Sequence, residues 1–321
     1  VLHQNAGRIG QHLTAAVDAV AKEDPQAVLE NFGAIGGRLE NRGTKVDAHA
    51  HIIAFGYLAL LLALAQPYLA LSEGARRRLA QLFLAGAVLL PVSVFLIHYV
   101  GLAYSPLESI GWASITADFG GFLVIVACAG FGMGLARHLG SSGSTDDPLL
   151  RDRSPSARLL LAGGTLLILA GFLHGAYYAA AHLLEHEQRE SRILSTMIER
   201  AAQKDLATAH QAVQDYGMLQ GEKAVAIAAH SHIIEFGVLA MLMAFLQPFV
   251  MLSERWRRRW AVVLLTGSVV LPVFVLAELR LGLVAGGIAD LGGLMVIIAL
   301  VGMLTGVVRY TGSLDAGRKS P

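Results

Sequence analysis

Apolar residues in this chain occur in long blocks rather than at the short periods of a soluble helix or strand. Each block is roughly 20 residues long, the length that crosses the hydrocarbon layer of a membrane as an α-helix. The pattern therefore predicts an all-α polytopic membrane protein. The seven predicted spans lie near residues 50–71, 79–102, 116–137, 159–183, 231–252, 260–281 and 285–308.

The sequence contains an internal duplication. The stretch "AHAHIIAFGYLALLLALAQPYLALSEGARRR" aligns without a gap with "AHSHIIEFGVLAMLMAFLQPFVMLSERWRRR", at a constant offset of 181 residues, as between His51 and His232. After a shorter loop, "DFGGFLVI" aligns with "DLGGLMVI". Each repeat is interpreted as one span, an outside helical pair and three further spans. The leading span of the first repeat is then expected before Val1, which gives eight spans and two repeats related in parallel about the membrane normal.

Arginine clusters at 75–78, 151–158 and 255–259 lie on one side of the predicted spans. By the positive-inside rule this side is cytoplasmic, which indicates a multi-pass protein of the bacterial inner membrane.

A Gly- and Ser-rich stretch at 140–148 fits a flexible linker between the repeats. The predicted order is an extracytoplasmic helical segment (1–47), the spans of repeat 1 (48–138), a cytoplasmic linker (139–157), the first span of repeat 2 (158–183), a second extracytoplasmic segment (184–229), the remaining spans (230–309) and a cytoplasmic tail (310–321).

Composition agrees with the membrane prediction and removes several function classes. Hydrophobic residues make up 55% of the chain and charged residues 15%, with a net charge of +1, so charge gives no reason to expect nucleic acid as a partner. Cys128 is the single cysteine of the sequence. It cannot form an intrachain disulfide, a thiolate cluster or the two-cysteine attachment site of a c-type haem.

Two His-x-His pairs open equivalent spans, His49 with His51 and His230 with His232. Residues i and i+2 of a helix point about 200° apart, so the two imidazoles of a pair are suited to two neighbouring sites rather than to one ion. An imidazole is also the usual axial ligand of a b-type haem held between helices.

The segment "GTKVDAHAHIIAFGYLAL", residues 43–60, resembles the tenth helix of the heme-copper oxidase superfamily, and most of all nitric oxide reductase. The resemblance implies that His49 is similar to the ligand of the high-spin haem and His51 to that of the low-spin haem, with His230 and His232 as their counterparts. The sequence lacks the family's HPE-type segment and its adjacent histidine pair. The resemblance thus implies haem binding on a shortened, duplicated relative, without oxygen or nitric oxide reduction.

Further histidines are expected at a similar depth, and the second repeat departs from the first at this level. His98, His174 and His182 are candidate axial ligands in the outer halves of their spans. Glu235 replaces an alanine of repeat 1, and Glu278 and Arg280 flank the position that aligns with His98. An arginine here suits a haem propionate, whereas the two glutamates suit either metal binding or proton transfer.

The leading hypothesis is an integral-membrane electron-transfer protein with two or more b-type haems and no catalytic residue of its own. Its expected partners are other membrane subunits, a periplasmic electron-transfer protein and, as a further option, a quinone. One alternative is a copper or non-haem iron protein, and another is a proton-coupled transporter or structural subunit, since a single membrane histidine often serves a packing hydrogen bond or a proton relay. The metal alternative draws on His49, His51, His98, His230, His232, Glu235 and Glu278.

Overall fold

The computed structural model describes residues 2–39, 44–100, 112–140 and 154–310. Ten α-helices and two single 3₁₀ turns account for nearly all of this part of the chain, and it contains no strand. The 3₁₀ turns are Gln66–Tyr68 and Gln247–Phe249. In chain order the helices are α1 (Leu2–Ala21), α2 (Pro25–Leu39), α3 (Thr44–Ala65), α4 (Glu73–Val100), α5 (Trp112–Gly140), α6 (Pro155–Ala181), α7 (Leu183–Ala202), α8 (Leu206–Leu246), α9 (Glu254–Leu281) and α10 (Leu283–Val308).

Seven of these helices are long and apolar enough to cross a membrane, which confirms the predicted all-α, polytopic fold class. They are α3, α4, α5, α6, α8, α9 and α10. Large apolar side chains remain exposed along their outer faces: on α10 these include Leu291, Leu294, Ile297, Val301 and Leu304. A continuous apolar face of this length is stable in lipid, where each helix satisfies its own backbone hydrogen bonds.

The chain forms two compact units, each assembled from three separate stretches. The first unit comprises Val1–Ala59, Arg78–Ala127 and Phe172–Ala228. The second comprises Leu60–Arg77, Cys128–Gly171 and Ala229–Pro321. Both units therefore draw on both sequence repeats.

A helical cap of α1, α2, α7 and the first part of α8 belongs to the first unit. Its helices share an apolar core, made of Leu13, Val17, Ile35, Met197, Ala201, Ala209 and Ala212. In the sequence, Val17, Val20, Val28 and Phe32 have the spacing of an amphipathic helical segment, and Val20 and Phe32 pack against this core. Two polar contacts also join the α1–α2 hairpin to the α7–α8 hairpin. Lys204 Nζ lies 3.2 Å from Glu23 Oε1, and His210 Nε2 lies 3.2 Å from Asp18 Oδ1.

The two cap hairpins turn in the same way, which extends the duplication beyond the spans. Glu23 and Lys204 are equivalent at the 181-residue offset, and both adopt a positive φ, 59° and 64°. Asp24 then accepts a hydrogen bond from the Ala27 backbone N–H (3.1 Å), and Asp205 accepts the equivalent bond from Thr208 (3.2 Å). A side-chain oxygen at this position satisfies a free N–H of the following helix, so both hairpins start their second helix alike.

The two arginine-bearing turns in the second unit also match. Arg76 donates to the Gln66 carbonyl (3.2 Å), and Arg257 donates to the Gln247 carbonyl (3.3 Å). The backbone N–H of Ala70 donates to the Gly134 carbonyl (3.1 Å), as that of Met251 does to the Gly306 carbonyl (3.0 Å). Each turn is thus fastened to the C-terminal part of the last span of its repeat, α5 in the first repeat and α10 in the second.

Close glycine contacts join the α4–α5 pair in the first unit and the α9–α10 pair in the second. A methyl group on Gly120 would lie 2.7 Å from the Leu90 nitrogen, and one on Gly292 would lie 2.6 Å from the Leu271 nitrogen. Small residues let the backbones of membrane helices approach, which supplies van der Waals contact where lipid offers no hydrophobic drive. The same pair of contacts in both repeats shows that the duplication covers packing as well as sequence.

The second His-x-His span continues directly from the cap. In the second repeat, the second cap helix and the span form one continuous helix, the 41-residue α8. At about 1.5 Å per residue it is about 60 Å long, roughly twice the hydrocarbon thickness. The boundary predicted at 229–230 falls inside this helix, because no proline or cap interrupts residues 206–246.

We expect Gly292→Ala to destabilise the protein and Gly287→Ala, on the same helix, not to. The added methyl group meets the α9 backbone at position 292, where overpacking costs about 1–3 kcal/mol. Nothing lies within 4 Å of a methyl group at 287, where alanine gains up to about 1 kcal/mol of helix propensity. The measurement is the thermal midpoint of both variants in detergent; equal midpoints would show that the α9–α10 contact is not tight.

Candidate functional site

His230, in the second unit, has a fixed ring orientation. Its Nδ1 lies 2.8 Å from the Gly171 carbonyl oxygen on α6. A carbonyl oxygen only accepts, so Nδ1 carries the hydrogen, and in the neutral ring the lone pair is on Nε2. Gly171 allows this approach, since a methyl group there would lie 2.5 Å from Ile234 Cγ1. A histidine that donates from one ring nitrogen to a carbonyl is held as metal-ligating histidines usually are.

His232 lies on the opposite side of α8 and is held by its own helix. Its ring stacks on Phe236, with centroids 5.8 Å apart and 17° between the planes. Its Nδ1 lies 3.7 Å from a carboxylate oxygen of Glu235, the residue that replaces an alanine of repeat 1. The second repeat thus gives this imidazole an acidic neighbour that the first repeat lacks.

In the first unit, the buried ring of Phe55 marks where three spans meet. Phe55 on α3 is 6.1 Å from Phe172 on α6 and 6.2 Å from Phe83 on α4, measured between ring centroids. α3 follows one hairpin of the cap and α6 precedes the other, so the two spans run in opposite directions. His51 and His174 therefore lie on the cap side of this cluster, about 6 Å from Phe55 and 3 Å from Phe172 along the helix axes.

Among the histidines whose side chains the structure describes, His174 is the one with a buried ring nitrogen that forms no hydrogen bond. Its Nε2 is fully buried and has no hydrogen-bond partner among the residues that the structure describes. Leaving a buried polar nitrogen unbonded costs about 1–3 kcal/mol, so such an atom in a membrane span calls for a ligand or a function. The depth in the membrane that the sequence predicts is similar for His174 and the other candidate histidines, so it does not distinguish His174 from them.

The remaining candidates are more exposed or lie outside the described side chains. His49 is exposed on α3, while His51 contacts the Phe55 ring at 5.8 Å. The backbone of His98 belongs to α4, but its side chain lies outside the described residues. Glu278 and Arg280 are exposed in the last turn of α9, where a long cationic side chain can reach a group at the membrane surface.

His182 belongs to a polar cluster in the first unit that also contains two tyrosines absent from the sequence-based candidates. Tyr177 Oη lies 3.3 Å from His182 Nε2, and Tyr178 Oη lies 3.0 Å from His186 Nδ1. The two histidine rings are 6.1 Å apart, and His182 Nδ1 is 3.9 Å from Glu185. Both ring nitrogens of His182 thus have polar neighbours, unlike the buried nitrogen of His174. The adjacent pair "YY" before two histidines was the available sequence signal.

Metal coordination by protein side chains alone has little support in this arrangement. Within the described ranges, no group of three or more His, Cys, Asp or Glu side chains could hold a metal ion. His232 with Glu235 offers two ligands at most. Cys128 is buried and forms no disulfide.

The fold and these histidines define a class: a multi-pass α-helical membrane protein with imidazoles inside its spans. Comparison with protein-family models, curated proteins and solved structures gives no match to this chain.

Acid is expected to destabilise the cap end of the first unit through His186. Burial, followed by the nearby charge of Lys223, lowers the pKa of His186 below its ordinary value of 6.5. The unfolded chain therefore takes up a proton first as the pH falls below about 6.5, and folding stability decreases until the folded-state pKa is passed. Glu222 and Glu185 oppose this shift, and His182 adds to it.

His186→Gln should flatten the fall of the thermal midpoint between pH 7.5 and 5, because glutamine does not titrate. The measurement is a series of melts of wild type and variant in the same detergent. An unchanged acid slope in the variant would assign the effect to other groups.

Proposed function

We propose that this chain is an integral-membrane b-type haem protein that transfers electrons, as a duplicated and shortened relative of the heme-copper oxidase superfamily. The observation that carries the proposal is the buried, unbonded Nε2 of His174 in the first unit. A haem iron is a ligand that would remove the cost of this atom by bonding to it.

The second unit supports the proposal independently. The hydrogen bond from His230 Nδ1 to the Gly171 carbonyl fixes the ring and the tautomer that iron coordination requires. Arg280, exposed at the end of α9, suits a haem propionate by a charge-assisted pair. His49, His51, His98, His182 and His232 remain candidate ligands on the resemblance of the His-x-His segments.

Haem in such a site supplies reversible one-electron oxidation and reduction. The imidazoles of this protein would bind the iron, and the surrounding side chains would hold the rings and keep water away, which together would tune the redox potential. In this proposal the chain works with other membrane subunits in the bacterial inner membrane, and exchanges electrons with a periplasmic electron-transfer protein or a quinone.

An optical spectrum tests the proposal directly. Purified protein should show sharp α and Soret bands on dithionite reduction, and a pyridine haemochrome assay should give haem b. His174→Gly should lose part of this signal, and added imidazole should restore it, because free imidazole can occupy the space of the deleted ring. Loss of signal in His230→Ala would extend the site to the second unit.

His12→Ala is the matched control. His12 is an α1 cap histidine whose Nδ1 lies 3.0 Å from Asn31 Oδ1, so its removal should leave the haem content unchanged. A colourless preparation that contains copper or iron would overturn haem binding in favour of the metal alternative. A colourless, metal-free preparation with pH-dependent transport would overturn both in favour of a proton-coupled transporter.

A further inference from the structure

An open pocket of about 690 Å³ lies at the start of α9, in the second unit. Two tryptophans form part of its wall: Trp256 stacks on Trp260 with ring centroids 6.0 Å apart and 27° between the planes. The guanidinium carbon of Arg259 lies 4.9 Å from the centre of the Trp256 ring. Val262 and Val263 continue the wall along the helix towards its apolar part. The pocket thus combines a cationic rim with an apolar wall.

Three arginines at this rim carry charge that the protein itself does not neutralise. Arg255, Arg258 and Arg259 line the pocket, and no carboxylate of the described residues lies within 4.0 Å of them. Each of the three is exposed. An unpaired cationic cluster at a membrane-helix end attracts a phosphate group.

The neighbouring acid and the fourth arginine are already engaged. Glu254 accepts from the Ser156 backbone N–H (2.7 Å) and the Ser156 hydroxyl (3.3 Å), and binds Arg257 at 2.9 Å. Arg257 also donates to the Gln247 carbonyl (3.3 Å). These contacts fasten the start of α6 to the α8–α9 turn, so the wall of the pocket is built from fixed elements.

The position of the pocket on α9 matches the boundary between lipid headgroups and hydrocarbon. α9 begins at Glu254, carries five charged residues in its first two turns and has none from Trp260 to Ala277. Trp256 is 48% exposed and Val262 is 47% exposed, so the aromatic and aliphatic walls are open to the surroundings. Tryptophan is enriched at this boundary, where one end of the ring contacts water and the other end contacts lipid acyl chains.

From this geometry we infer that the pocket binds an anionic phospholipid of the surrounding membrane. The lipid phosphate lies among Arg255, Arg258 and Arg259, and an acyl chain lies along Trp260, Val262 and Val263. Charge complementarity selects an anionic over a zwitterionic headgroup, and the apolar wall selects a lipid over free phosphate. This lipid site does not depend on haem binding.

The first repeat provides an internal comparison. Arg77 and Arg78 align with Arg258 and Arg259, so two of the three charges are duplicated. Gly74, Ala75 and Leu79 stand where the second repeat has Arg255, Trp256 and Trp260. The aromatic wall is therefore confined to the second repeat, and a lipid preference that requires it should be confined there too.

Tryptophan fluorescence in vesicles with brominated lipid tests the site. The chain has three tryptophans, so Trp112→Phe leaves Trp256 and Trp260 as the reporters. Brominated phosphatidylglycerol in phosphatidylcholine should quench them more than brominated phosphatidylcholine in phosphatidylglycerol at equal mole fraction. With roughly fivefold preference per basic residue near the surface, three arginines should give at least a tenfold preference for the anionic lipid.

The double variant Arg258→Gln/Arg259→Gln should bring the ratio of anionic to zwitterionic lipid preference close to one. The matched double variant Arg77→Gln/Arg78→Gln should leave this ratio unchanged. All four side chains are exposed or on the rim, and unchanged thermal midpoints would show that both double variants fold. An equal effect of the two double variants would overturn the site in favour of diffuse surface charge. Abolition of the preference by 100 mM inorganic phosphate would overturn it in favour of a free-phosphate site.

Discussion

The hydrocarbon layer offers no water to polar groups, and this constraint decides most of the structure. Each span satisfies its backbone as a helix, and side-chain polar groups inside a span need a partner from the protein or from a ligand. Gln247 meets the requirement fully: it is completely buried, accepts from the Ser156 hydroxyl (3.2 Å) and donates to the Met243 carbonyl (3.3 Å). His174 does not meet it within the described residues, and this contrast makes it the most informative histidine.

The duplication separates what both repeats need from what one repeat has added. The glycine contact between the last two spans, the arginine bond to the 3₁₀ turn and the aspartate start of the second cap helix occur twice. They serve folding, since nothing in them is specific to a ligand. Glu235 and the tryptophans at the start of α9 occur once. Residues that differ between the two repeats are not needed for the packing that the repeats share, and the lipid site draws on such a difference.

The spans were predictable because a membrane-crossing helix is defined by about 20 consecutive apolar residues, a local property of sequence. The cap was partly predictable: amphipathic spacing indicated apolar faces at Val17 and Phe32, but not that Met197 and Ala209 complete their core. The site was predictable only as a set of residue types. The bond of His230 to Gly171 joins residues 59 apart in sequence and depends on a glycine that lets two helices approach, which no pattern within one span indicates.

The histidines fall into groups that differ in what already holds them. His182 and His186 face tyrosine hydroxyls, and a proton or hydrogen bond suffices to explain them. His230 donates one ring nitrogen to a backbone carbonyl, which orients the ring. If the residue at position 174 served only to pack the helices, a small or apolar residue would do so without the cost of burying a polar group. A buried imidazole nitrogen at this position needs a bonding partner, and the proposed haem would supply one.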